Sequence, residues 1–314
     1  MGNKKCPLAR DLNKSQKINR ISTSLKKSFI YLAIQHSFDF FKNFFQKQPF
    51  DNYDFEELTS EYLKIVDNAY AFNLFTAGGI LEKDFLLLWC LHKYFRTEEY
   101  IESGVFIGSS LYAAISTLKD ASIIGIDPNL KNLKLPNHLV SKCKLINDKD
   151  FSEINFENIS KNKSIVFFDD HINAAERIIE SHYKGFEYLI FDDAGGLDDI
   201  AKRLYPSFPT MPIIMNADFL SPGEEFTWIY KRGLIKDEIF MNWEKKLKKI
   251  YQIIKGSNSI RVTAKFDEAL INKCLFAKSL IKKSVILPDL GNYILPSKPM
   301  EITTNGSKYI VQLI

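Results

Sequence analysis

Between Tyr100 and Asp192 the chain alternates short, mostly apolar runs with amphipathic stretches, and few folds accommodate that rhythm. The runs are Tyr100-Ile-Glu-Ser103, Ser122-Ile-Ile-Gly-Ile-Asp127, Lys142-Cys-Lys-Leu-Ile-Asn147, Ser164-Ile-Val-Phe-Phe-Asp169 and Tyr188-Leu-Ile-Phe-Asp192. A strand with one wet face alternates apolar and polar residues, whereas a strand covered on both faces is apolar throughout. The stretches Ser109 to Leu118 and Ala174 to about His182 have helical spacing and separate such strands. The pattern therefore predicts a parallel sheet covered by helices on both faces, with right-handed crossovers.

The flanks differ. Before the first run, Phe29, Leu32, Ala33, His36, Phe40, Phe44 and Phe45 recur at three- and four-residue spacing and predict a helix over about 22–48. A second helix is expected from Asp54 or Phe55 to about Tyr70, a break at Gly78-Gly79, and a third helix from about Glu82 to Phe95 with a broad apolar face. After Gly195-Gly196 the prolines 206, 209, 212 and 222 mark an irregular segment. Helices are expected again at about Lys236 to Ile254 and Phe266 to Lys282. The end reads as a hairpin, with Glu301-Ile-Thr-Thr304, a turn at Asn305-Gly306, and Tyr309 to Ile314. The predicted fold class is α/β: a Rossmann-like, doubly wound, mostly parallel sheet with a C-terminal antiparallel hairpin and a helical N-terminal extension. The extension spans 1–80 and the sheet domain 81–314, with 197–285 as a lid or insert that holds Trp228 and Trp243.

Composition narrows the partners. With 314 residues, 46% hydrophobic and 25% charged, the chain has ample material for a buried core. Net charge is only +4, but Lys4, Lys5, Arg10, Lys14, Lys17, Arg20, Lys26 and Lys27 face a single acid, Asp11, in the first 27 residues. No aromatic residue interleaves with them before Phe29, so a solvated N-terminus is expected and no nucleic-acid partner. Cys6, Cys90, Cys143 and Cys274 are scattered and form no C-x-x-C pair, which fits a reducing, cytoplasmic compartment. Cys6 stands where a myristoylation signal needs Ser or Thr, and no stretch of about 18 uncharged apolar residues predicts a membrane span. The expected partner is a small-molecule substrate, and a homodimer is an allowed assembly.

The first strand ends in Glu102-Ser-Gly104-Val-Phe-Ile-Gly108 and opens a helix. Glycine there lets the backbone turn tightly and lets a cofactor approach, while Ser109 and Ser110 could cap the helix and donate hydrogen bonds. The next strand ends in Asp127, where an acid can hold both hydroxyls of a ribose. The spacing is not G-x-G-x-x-G. Phe106 would crowd a pyrophosphate and Glu102 brings a negative charge, so a cationic, phosphate-free cofactor fits the loop better.

Glu-Ser-Gly-Val-Phe-Ile-Gly-Ser-Ser resembles the first motif of class I S-adenosylmethionine-dependent methyltransferases. In particular it is similar to the small-molecule O-methyltransferases of the catechol and caffeoyl-CoA type, over about residues 80–195. The resemblance implies that Glu102, Gly104, Gly108 and Ser109 cradle the methionine part of S-adenosylmethionine. It further implies that Asp127 holds the ribose and that Asp148 or Asp150 lies near the adenine.

Two later strands end in doubled aspartates, Phe168-Asp169-Asp170-His171 and Phe191-Asp192-Asp193. Carboxyl ends of parallel strands share one crevice, and like charges gathered there need a cation or a proton. Oxygen-rich ligation suits Mg²⁺ or Mn²⁺, whereas a purely structural reading makes these acids helix caps. The resemblance implies Asp170, Asp192 and Asp193 as the metal ligands, with Asp169 on the cofactor side. That family has a catalytic Lys where this chain has Asn173, which cannot be a general base, so His171, or Asp170, is left to take a proton from a metal-bound substrate hydroxyl. The expected function is O-methylation of a small hydroxylated substrate. The alternatives are a metal-dependent hydroxylase or hydrolase on the same fold, or a non-catalytic Rossmann-like binding module.

Overall fold

The computed structural model describes residues 23–46, 53–76, 79–156, 163–192, 195, 208–231, 251–253, 259–294 and 307–314. Outside them lie Asp193, Trp243, Gly78, Gly196, the expected helix up to residue 250, the expected strand Glu301 to Thr304 and its turn, and most of the basic stretch.

Three helices lead the chain: α1 (Thr23–Phe45), α2 (Phe55–Ala71) and α3 (Glu82–Phe95). Asp54 starts α2 by accepting hydrogen bonds from the amides of Glu56 and Glu57, the standard use of a carboxylate at a helix N-cap. Helix α3 is apolar nearly all round because α1 and α4 (Ser109–Thr117) pack on it while Phe85, Leu86, Leu88, Trp89 and Leu91 are fully buried. Each such side chain contributes about 1.5–3 kcal/mol of transfer free energy. No helix among the described residues is long and apolar enough to cross a membrane.

The main sheet contains β1 (Glu99–Ser103), β2 (Ser122–Ile126), β3 (Lys144–Ile146), β4 (Ser164–Phe168), β5 (Tyr188–Phe191), β9 (Ile281–Ile286) and β10 (Tyr309–Leu313). Their order is β3-β2-β1-β4-β5-β10-β9. The first five are parallel, and β10 runs antiparallel to both β5 and β9. This is the expected Rossmann-like, mostly parallel sheet with an antiparallel C-terminal pair. The strand order reverses between β1 and β4, the place where doubly wound sheets bind ligands.

Side-chain alternation divides the core into two layers. Tyr100, Ile165, Phe167, Ile190 and Ile310 join α1 to α4 on one face. Ile101, Val166, Phe168, Leu189 and Val311 meet α6 (Ala174–Lys184) and α8 (Glu268–Ser279) on the other. Short helices α5 (Asn137–Val140) and α7 (Met211–Met215) complete the described helices.

The region after β5 departs from expectation. A second, antiparallel sheet has the order β6-β8-β7, from β6 (Glu225–Lys231), β7 (Tyr251–Ile253) and β8 (Ser259–Lys265). Tyr251–Ile253, expected to end a helix, is therefore a strand. Helix α8 stops at Ser279 rather than Lys282, because Ile281 already pairs with Leu313 at the start of β9. The antiparallel partner of β10 is thus β9, and the stretch 197–285 runs into the main sheet.

Candidate functional site

The glycine loop joins β1 to α4. Gly104 has φ +98°, and a Cβ there would lie 2.3 Å from the carbonyl oxygen of Asp169 and 2.7 Å from the amide of Asp170. Glycine is needed because the end of β4 presses against the loop. Gly108 has φ +86°, and its missing Cβ makes room for Leu133 and Leu135. Three loop amides are committed within the protein: Gly104 donates to the Ile126 carbonyl (2.8 Å), Phe106 to Asp127 Oδ2 (2.8 Å) and Gly108 to the Val105 carbonyl (2.8 Å).

Asp127, at the end of β2 and 9% exposed, also accepts from the Asn129 amide through Oδ1 at 2.7 Å. A carboxylate carries about four lone-pair sites, so each oxygen of Asp127 retains one for a ligand hydroxyl.

The serines of the loop act differently from expectation. The N-cap of α4 is Gly108, with no side-chain cap bond. Ser109 Oγ instead donates to the Leu74 carbonyl (2.7 Å), tying the segment after α2 to the loop. Ser110 Oγ donates to Glu102 Oε1 (2.7 Å), and Tyr100 donates to Glu102 Oε2 (2.7 Å). Glu102 is fully buried, and burial pushes its carboxyl up to about 8 against the pull of those two bonds. It braces β1 against α4 beneath the loop.

At the end of β4, Asp170 is enclosed by donors. Its Oδ2 accepts from Ser103 Oγ (2.6 Å) and from Arg177 Nε (3.0 Å) and lies 2.8 Å from Arg177 Nη2, while Oδ1 accepts from the Ile172 amide (3.1 Å). Arg177, its side chain 1% exposed, reaches up from α6 and also pairs with Asp150 (2.6 Å) and Glu180 (2.7 Å). The rings of Phe151 and Phe168 lie 5.5 and 5.6 Å from the guanidinium, a cation–π setting. Burial pulls against its charge, but the bond to Asp150 and the charge of Asp170 more than compensate. The same guanidinium holds the Asp150 carboxyl well below the usual range, in spite of partial burial.

Asp150 is therefore committed to Arg177, and of the two acids expected near an adenine only Asp148 stands exposed beyond β3. Asp169 and His171 are half-buried at the crevice, and His171 has φ +55°. Asn173 caps α6 by accepting from the Glu176 amide (3.1 Å).

At the end of β5, Asp192 meets a cation that sequence reasoning missed. Lys308 Nζ lies 2.8 Å from Asp192 Oδ1 and 3.3 Å from Asp84 Oδ2, which comes from the first turn of α3. Burial pulls the lysine pKa down, yet Asp192 and Asp84 together raise it above the ordinary value. Asp84 is pushed up by burial first, with Lys308 opposing.

These contacts bear on the metal expectation. Asp170 already receives hydrogens on both oxygens and Asp192 is paired with an ammonium. Among the described residues no three His, Cys, Asp or Glu side chains gather as a ligand set. Arg177 at Asp170 and Lys308 at Asp192 supply positive charge to the acids that predicted Mg²⁺ or Mn²⁺, and the third expected ligand, Asp193, lies outside the described residues.

Neither residue could be picked out as a counter-ion from the sequence. Arg177 carried a weak signal, the Glu176-Arg177-Glu180 spacing on α6; Lys308 carried none. Trp228, in the expected lid, is 6% exposed in β6 and stacks on Phe226 with ring centroids 5.5 Å apart.

No protein-family model and no curated protein matches the chain. Among solved structures it is similar to an O-methyltransferase from Bacillus cereus in complex with SAH. That match has 10% identity and a TM-score of 0.37, covering 69% of this chain and 93% of that one. The O-methyltransferase TomG from Streptomyces achromogenes, in complex with SAM, matches at 12% identity and a TM-score of 0.38 over 65% and 89% of the two chains. An SAH-bound methyltransferase from Podospora anserina matches at 11% identity and a TM-score of 0.35 over 69% and 99%. Likeness at these levels assigns no activity, and the sheet order described above states the fold.

Proposed function

We propose that the chain binds S-adenosylmethionine at the β1–β4 switch point and methylates a hydroxyl of a small molecule. The observation that carries this reading is the pairing of loop and acid. Three loop amides are used up internally, so they cannot cradle a pyrophosphate, while Asp127 is held by Phe106 and Asn129 with lone pairs to spare for two ribose hydroxyls. Asp127, Asp169 and Asp148 give the rim a negative character that suits a sulfonium and repels phosphate.

S-adenosylmethionine, when bound, supplies an electrophilic methyl group. The chain supplies the rest. Gly104 and Gly108 shape the floor, Glu102 and Ser109 hold the loop in place, and Asp127 fixes the ribose. Asp148 stands on the adenine side. Holding the acceptor oxygen in line with the methyl group contributes much of the rate in such a transfer. His171 takes the hydroxyl proton; Asp170 is excluded from that role by its bonds to Arg177 and Ser103. A hydroxylase or hydrolase that depended on Asp170 and Asp192 as metal ligands would lose both to ion pairs.

Titrating S-adenosylhomocysteine into the full chain by calorimetry tests the assignment. Asp127→Ala removes hydrogen bonds to a charged group, each worth about 1.5–3 kcal/mol, so affinity should fall by a factor of roughly ten to a hundred or more. Undiminished binding by this variant, or no binding by the wild type, would reject the reading.

A further inference from the structure

We propose that Lys308 is the resident cation of the acidic crevice, taking the place that a divalent metal would otherwise fill between the ends of β4 and β5. Its position follows from the backbone. Strands β10 and β5 are antiparallel with Tyr309 opposite Phe191, so the next pair beyond the ladder sets Lys308 opposite Asp192. The ammonium then needs only its own stem to reach Asp192 Oδ1 at 2.8 Å and Asp84 Oδ2 at 3.3 Å. With 5% of its side chain exposed, against 9% for Asp192 and 17% for Asp84, it is enclosed by the groups it neutralises.

An ion of the Mg²⁺ type needs several oxygen ligands close around it in near-octahedral geometry. A fixed ammonium on Asp192 occupies one of those oxygens and repels a second cation. Arg177 does the same at Asp170, where Oδ2 accepts from the guanidinium and from Ser103. One lysine set against Asp84 and Asp192 leaves the local balance negative, a setting that still attracts a sulfonium. Lys308 is in these terms a positioning residue: it fixes the Asp192 carboxylate and ties the first turn of α3 to the end of β5. The consequence that methyl transfer proceeds without a divalent ion rests on the methyltransferase reading; the occupancy of the crevice by Lys308 does not.

Binding of Mn²⁺ to the full chain, followed by its paramagnetic resonance signal, decides the matter. The wild type should show no saturable Mn²⁺ site that Asp192→Asn removes. S-adenosylhomocysteine affinity should be the same in chelator and in millimolar Mg²⁺. A saturable site lost in Asp192→Asn would overturn the proposal. Lys308→Met should raise Mn²⁺ binding above that of the wild type, because Asp84 and Asp192 lose their cation; a folded Lys308→Met that gains no Mn²⁺ binding would also overturn it. If that variant does not fold, the comparison of wild type with Asp192→Asn still decides. Absence of S-adenosylhomocysteine binding in these samples would reject the methyltransferase reading and leave the Mn²⁺ result to stand alone.

Discussion

Gly104 and Gly223 offer a controlled pair. Their φ angles are nearly equal, +98° and +93°, so an alanine at either position bears the same left-handed strain, about 1–2 kcal/mol. Their surroundings are opposite. A Cβ on Gly223 meets nothing within 4 Å, whereas one on Gly104 would sit 2.3 Å from the Asp169 carbonyl oxygen and 2.4 Å from its carbon. Those atoms are backbone and cannot swing aside, so β4 must shift, at a further cost of about 1–3 kcal/mol typical of overpacking. An unfolding entropy of about 2.1 cal/mol/K per residue converts 1 kcal/mol into roughly 1.5 °C for a chain of 314 residues. Gly223→Ala should therefore lower Tm by about 2–3 °C and Gly104→Ala by about 3–8 °C in calorimetry. Because the shift in β4 carries Asp169 and His171 with it, Gly104→Ala should also weaken S-adenosylhomocysteine binding, and Gly223→Ala should not. Equal losses of Tm, or a Gly104→Ala protein that binds normally, would refute the claim that close approach to β4 is what this glycine serves.

Glu102 predicts a pH dependence with a definite sign. Its folded pKa, about 8, exceeds the ordinary 4.5, so its contribution to stability is complete at low pH and is lost as pH rises across that window, by up to about 1.4 kcal/mol per unit. Glu102→Gln should flatten this fall in denaturant midpoints, and a wild type as flat as the variant would count against a neutral Glu102. Arg177→Met strands three acids at a buried site, a loss of about 3 kcal/mol or roughly 4–5 °C in Tm, at the low end of the usual range because Asp150 is 39% exposed. An unchanged Tm would show that Asp150, Asp170 and Glu180 need no guanidinium.

Elements with a strong period were legible because period and burial agree. The start of α2 follows from its capping Asp54, and the runs of β4 and β5 follow from apolar stretches covered on both faces. Strand β9 was not legible. Ile281-Lys-Lys-Ser-Val-Ile continues the apolar spacing of α8, and its two lysines look like the end of a helix. They are an edge-strand pattern: Lys283 leaves the sheet to donate to the carbonyls of Asn43 and Phe44 at the end of α1, at 3.1 and 2.9 Å. Only tertiary structure supplies those acceptors.

The site was legible in its acids and illegible in their partners. A strand that ends in Asp announces itself, since the acid follows an apolar run in the sequence; hence Asp127, Asp170 and Asp192 were found. A counter-ion has no such marker. Arg177 is one charge among several on α6, and Lys308, 116 residues from Asp192, immediately precedes a strand whose pairing with β5 exists only once the sheet closes. With the acids in view and the cations hidden, electroneutrality pointed to a metal, and the inference was sound as far as it went: the acids do require positive charge. What the register of β10 adds is that the chain carries part of that charge itself, with Lys308 set opposite Asp192.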